Sequence, residues 1–248
     1  MSDPGPASPS VEAVEARLLE IFYALPATTG FGTAAPQDLT VLVDEAIATV
    51  EAALPPFRCR SGCFQCCEEG VPLVSALEWR RLHAFLATQS EDFVLAIVAP
   101  TMIRYRRQVD GLTYAAMKLR GDPPAIEGVE SIDMDACPML IDGKCGVYEA
   151  RPLLCRSYGF MTVQDEADSR PLMCQPAVEQ IKETFPAEYA LPRFEPFEAR
   201  LRQLNGSQGR AHLPLWIMAQ HELGGYLAPP ITDPLPWALR RVSRLGFV

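Results

Sequence analysis

Cys59-Arg60-Ser61-Gly62-Cys63-Phe64-Gln65-Cys66-Cys67 holds four of the chain's eight cysteines in nine residues, and its chemistry decides what the rest of the chain must position. Thiolates are soft ligands for zinc, copper(I) or iron–sulfur iron, and a C-x2-C turn brings two sulfurs to one centre without straining the backbone. Cys63 and Cys66 supply that turn. Cys59 stands four residues before Cys63, so in a helical segment both sulfurs would share one face. Cys66 and Cys67 are adjacent. Successive side chains tend to diverge, so this pair is expected to serve one centre only in a special turn, and otherwise two centres, or one centre and a reactive thiol.

The other four cysteines come in a second pattern: Cys137-Pro138-Met139-Leu140, Cys145 with Tyr148 three residues on, Arg151-Pro152 before Cys155-Arg156, and finally Cys174. The arrangement C-x3-C-x2-C-C, C-P-x-L, C-x2-Y and R-P-x2-C-R resembles the CxxCxxCC family of zinc- or iron-chelating proteins, the YkgJ-type cysteine-cluster proteins. The resemblance covers the chain from about Cys59 to Cys174 and includes all eight cysteines. It implies metal or iron–sulfur binding without fixing a reaction. The flagellin lysine methylases are similar in their cysteine pattern, which implies that some relatives are enzymes.

Composition bounds the alternatives. A chain of 248 residues, 48% hydrophobic and 21% charged, has the makings of an ordinary globular core. Its formal charge of −9 opposes non-specific binding to nucleic acid or to an anionic membrane surface. Arg58, Arg60, Lys144, Arg151 and Arg156 lie beside the cysteines and could offset thiolate charge. Residues 1–10 carry no basic and apolar secretory pattern, so a reducing cytoplasm is the expected compartment, and there clustered thiols point to metal or catalysis rather than disulfides. Apolar runs such as Phe93 to Pro100 fall far short of the roughly 20 residues a membrane span needs.

Helical periodicity dominates the flanks. Val11, Val14, Leu18, Ile21, Phe22 and Leu25 mark a first helix, with Ser8-Pro9 as its expected cap and first-turn proline. Leu39, Leu42, Val43, Ala46, Ile47, Val50 and Leu54 mark a second, stopped by Pro55-Pro56. Between them Gly30-Phe31-Gly32-Thr33-Ala34-Ala35 is formally G-x-G-x-x-A, but it follows a helix where a dinucleotide fingerprint needs a strand. Gly70 to Val74 is expected to be extended, and Ser75-x-x-Glu78 has the form of a capping box opening a third helix that carries His83, a surface or core histidine rather than a ligand. Helix is predicted from Ser90 to Leu119, bent or divided at Pro100.

Asp142-Gly143 between two short apolar runs predicts a β-hairpin with Cys137 before one strand and Cys145 on the other. Arg151-Pro152 is expected to open a helical turn bearing Cys155; Phe160 to Val163 reads as a strand and Gln164 to Arg170 as a polar loop. Further helices are expected at about 177–185, 196–204 and 214–226. His221-Glu222 begins like H-E-x-x-H, but Gly225 takes the place of the second histidine. Asn205-Gly206-Ser207 reads as a helix end and turn rather than a glycosylation site.

The sequence thus predicts a mainly α fold with a small β-hairpin, a single metal-stabilised helical domain around a cysteine-rich core. Its parts are a helical hairpin at 1–56, a cysteine-cluster region at 57–176 and a helical extension at 177–248. The expected metal ligands are Cys59, Cys63, Cys66, Cys67, Cys137, Cys145, Cys155 and Cys174, with Arg156 as the cofactor-binding polar residue. Irregular thiol spacing and the lack of histidine near either block favour an iron–sulfur cluster over zinc, with an electron-transfer role. A structural-zinc interaction module with a protein partner, and a methylase-like iron–sulfur enzyme, are the alternatives. Neither nucleic acid nor membrane is an expected partner.

Overall fold

The computed structural model describes residues 9–33, 35–53, 62–68, 70–121, 132, 136–165, 168–184 and 191–242. The fold is mostly helical with small sheets. In chain order the elements are α1 Val11–Ala24, α2 Leu39–Ala53, α3 Gln65–Glu68, β1 Leu73–Ser75, α4 Ala76–Leu86, α5 Glu91–Tyr105 and α6 Val109–Leu119. Then come β2 Leu140–Ile141, β3 Lys144–Cys145, α7 Leu153–Ser157, β4 Thr162–Asp165, β5 Asp168–Pro171 and α8 Gln175–Thr184. The chain closes with α9 Glu195–Asn205, β6 Arg210–His212, α10 Leu213–Leu223 and α11 Leu235–Leu239. Contacts divide it into two compact units, one from 1–63 and 155–204, the other from 64–154 and 205–248. Among the described residues no helix is long and apolar enough to cross a membrane.

In the first unit α1 packs against α2. Val14, Leu18 and Ile21, one helical face, are buried, and Arg17 reaches Glu45 at 3.0 Å. Ser10, not Ser8, caps α1 by accepting from the Ala13 N–H, so Pro9 precedes the cap instead of sitting in the first turn. The G-x-G segment proves to be a carboxylate-filled turn. Asp38 accepts from the Gly32 and Thr33 N–H groups and the Thr33 hydroxyl, and also from the N–H and hydroxyl of Thr40. Burial would raise the Asp38 carboxyl, but these donors hold it down at about 2. The amides a phosphate would need are therefore engaged, and a Cβ at Gly30 would lie 2.9 Å from the Thr33 methyl.

Also in this unit, Gln164 and Asp165 pair antiparallel with Asp168 and Ser169 in the β4–β5 pair, where the sequence predicts a loop. Its side chains are polar and exposed at Gln164, Ser169 and Arg170, so no apolar alternation announces it. The proline stop after α2 lies outside the described residues.

The second unit is built round α10, whose residues Leu213 to Gln220 are all buried. A helix apolar on every side belongs in a core. Trp79 stacks on Trp216 with centroids 5.8 Å apart, the Trp216 indole donates to the Val74 carbonyl, and β1 pairs antiparallel with β6. The Ser75–Glu78 capping box forms as predicted. Helix α5 is continuous through Pro100; the division comes later, in a 3-10 turn at Arg106–Gln108. The carbonyl that loses its donor to the proline is that of exposed Ala96, where water can serve it. Gly224, with φ of 156°, ends α10 before the expected 226, and Glu222 accepts from Trp237 and Arg241 rather than facing a metal. His83 is buried, donates to the Ala228 backbone and stacks on Tyr226.

Candidate metal centre

Two local structures of the second unit bring sulfurs together. The first is α3, one turn of helix carrying Cys66 and Cys67. The second is the β2–β3 hairpin, in which Asp142 and Gly143 both take positive φ, 48° and 69°, as the turn demands. Cys137 stands just before β2, Cys145 lies on β3, and the Cys137 N–H donates to the Cys67 carbonyl at 2.7 Å. The buried Tyr105 of α5 holds the approach to Cys137 by donating to the Ala136 carbonyl. Gly146 leaves room for Ile141 and for Phe93 of α5, where a Cβ would meet the latter at 3.2 Å. Hairpin and α3 are thus held by backbone and core contacts that do not involve sulfur.

The Cys67 thiol lies near enough to those of Cys137, Cys145 and Cys66 for each to act on its proton. Contact with Cys137, then with Cys145 and Cys66, together with burial, holds its proton on and raises its pKa. The neighbours respond oppositely. Cys66 is lowered chiefly by its bond from Cys67, with burial and Cys145 opposing and Arg151 assisting. Cys145 comes down to about 7, again first through Cys67, against burial, with the Val147 backbone and Arg151 adding to the effect. Arg151 is fixed for this: its guanidinium lies 3.7 Å over the Tyr148 ring and its Nε donates to the Tyr148 carbonyl.

Cys66 and Cys67 share one short helical turn, and the two thiols act on one another. In a helical turn neighbouring side chains are about 100° apart rather than on opposite faces, so two sulfurs can meet. The remaining described thiols belong to the first unit: Cys63 and Cys155 are half-buried, and Cys174 is buried beside Met173 and Ala177. Cys59 lies outside the described residues. Arg156 directs its guanidinium to Asp44 of α2, at 2.6 and 2.8 Å. The cation coupled to the cluster is Arg151, legible in the sequence only as one of several basic residues beside the cysteines.

All seven described cysteines are free thiols. Among the described residues no three metal-binding side chains stand as a ready-made coordination group. Four soft sulfurs, three of them within reach of Cys67, with the Arg151 charge acting on Cys66 and Cys145, are by their chemistry ligands suited to zinc or iron. Residues 58–175 match the CxxCxxCC family, described as a "Putative zinc- or iron-chelating domain". No curated protein and no solved structure matches the chain.

Proposed function

We propose, on the premise that residues 58–175 carry a CxxCxxCC domain, that this chain chelates zinc or iron through the thiolates of Cys66, Cys67, Cys137 and Cys145 as one centre. The convergence of three sulfurs on a fourth, Cys67, supports this reading most strongly. Touching sulfurs suit a single ion, because four tetrahedral bonds of about 2.3 Å put neighbouring sulfurs under about 4 Å apart. A closed set of four leaves no open position for substrate, the character of a structural site. The ion would supply a cross-link between α3 and the hairpin. Cys67 gives up its proton on binding, and Arg151 offsets the charge of the thiolates. Cys59, Cys63, Cys155 and Cys174 supply four further sulfurs, which we assign to a second centre. Arg156, adjacent to Cys155 in sequence, is its basic neighbour.

An iron–sulfur cluster that carries electrons is the second reading, favoured by the irregular spacing and by the lack of histidine near either cysteine block. Purification without oxygen, from cells supplied with both metals, separates the two. The single-ion reading expects bound zinc or iron without acid-labile sulfide. A brown protein with iron and sulfide in like amounts moves the second reading to first place, and a chain that retains neither metal defeats both.

A further inference from the structure

Helix α5 turns one face outward along its whole length. Leu95, Ala96, Ala99, Pro100 and Ile103 are exposed, Ile103 to 82%, while Ile97, Val98, Thr101 and Tyr105 on the opposite face are buried. At about 100° per residue, Leu95, Ala99 and Ile103 form a continuous apolar stripe. A lone exposed apolar residue means little, but a stripe on one helix marks a contact surface. The ends of the stripe carry opposite charge, with Glu91 and Asp92 in the first turn and Arg106 and Arg107 just past the last. Among the described residues none of these four makes an ion pair within the chain.

We propose that this face pairs with the same face of a second copy of the chain, the two α5 helices running antiparallel across a two-fold axis at Ala99. The charge pattern selects this partner. An isologous antiparallel pair sets Glu91 and Asp92 of each copy against Arg107 and Arg106 of the other, and Leu95 against Ile103, whereas a parallel pair would set like charge on like. Small Ala96 and Ala99 at the middle let the helix axes approach closely. The reversed helix dipoles attract as well. A helix of 15 residues, about 22 Å long, makes a small interface, so the dimer is a weak one, with a Kd of roughly 100 μM. The pairing is independent of the metal reading.

Sedimentation equilibrium of the full, metal-loaded chain tests it. The wild-type chain should associate, and Ile103→Asp should abolish association. A variant with Glu91→Lys and Asp92→Lys, and another with Arg106→Glu and Arg107→Glu, should each self-associate about ten-fold more weakly. An equal mixture of these two variants should regain the wild-type affinity as a heterodimer, a result that a folding defect could not produce. A monomeric wild-type chain, a dimer indifferent to Ile103→Asp, or a mixture no tighter than its parts would overturn the proposal.

Discussion

Replacing Cys67 with serine should weaken metal binding at the second-unit centre more than any change made outside its four sulfurs. Cys67 is the one thiol in contact with all three others, and it sits on the short helix whose carbonyl also takes the Cys137 N–H. Serine substitutes a hard, weakly acidic oxygen for a soft thiolate, and loss of one ligand in a closed four-sulfur site opens it to water. The affinity, followed by competition with a chromophoric chelator, is expected to fall by more than about 100-fold. Arg151→Ala leaves every sulfur in place and removes only the adjacent charge, so its expected loss is nearer ten-fold. Equal losses in the two variants, or wild-type affinity in Cys67→Ser, would show that the sulfurs do not act as a set.

A second large effect is expected at Glu78, which is not among the sulfur ligands. Its carboxylate accepts from the Ser75 N–H and hydroxyl at 2.7 Å and from the Leu153 N–H at 2.8 Å, and so ties the start of α4 to the start of α7. Glu78→Ala leaves two buried N–H groups without an acceptor, at a cost of about 3 kcal/mol, readable as a lower urea midpoint. Burial raises the Glu78 pKa above its ordinary 4.5, against the lowering hydrogen bonds from Ser75 and Leu153 and the charge of Arg210. The folded state thus holds the proton more tightly than the unfolded one. The Glu78 contribution is then fullest below pH 4.5 and declines as pH rises through the raised value. Glu78→Gln, which cannot ionise, should remove that decline; a pH dependence identical to wild type would count against it.

The features legible in the sequence were those that local chemistry dictates. Ser75 and Glu78 form their capping box, Asp142 and Gly143 their turn, and the buried faces of α1 and α2 follow the apolar period. Long-range or context-dependent features were not legible. The pairing of β1 with β6 joins residues 73–75 to 210–212, and nothing in either triplet names its partner. The β4–β5 hairpin is polar on its exposed positions and so carries no hydrophobic alternation. The helix continues past Pro100, whose freed partner residue Ala96 is exposed to water, and the local sequence around a proline does not tell whether the carbonyl it frees will be solvated. The convergence of Cys66 with Cys67 depended on a single helical turn too short to show any period. The coupling of Arg151 to Cys66 and Cys145 depended on the turn at Tyr148 that holds its guanidinium, which its place among several basic residues does not reveal.

X-ray absorption at the metal edge of the anaerobically purified wild-type chain tests the four-sulfur, single-ion centre most directly. The spectrum should show a first shell of sulfur alone, at about 2.3 Å, and no second metal behind it. A first shell containing nitrogen or oxygen, or scattering from a neighbouring iron, would contradict the account.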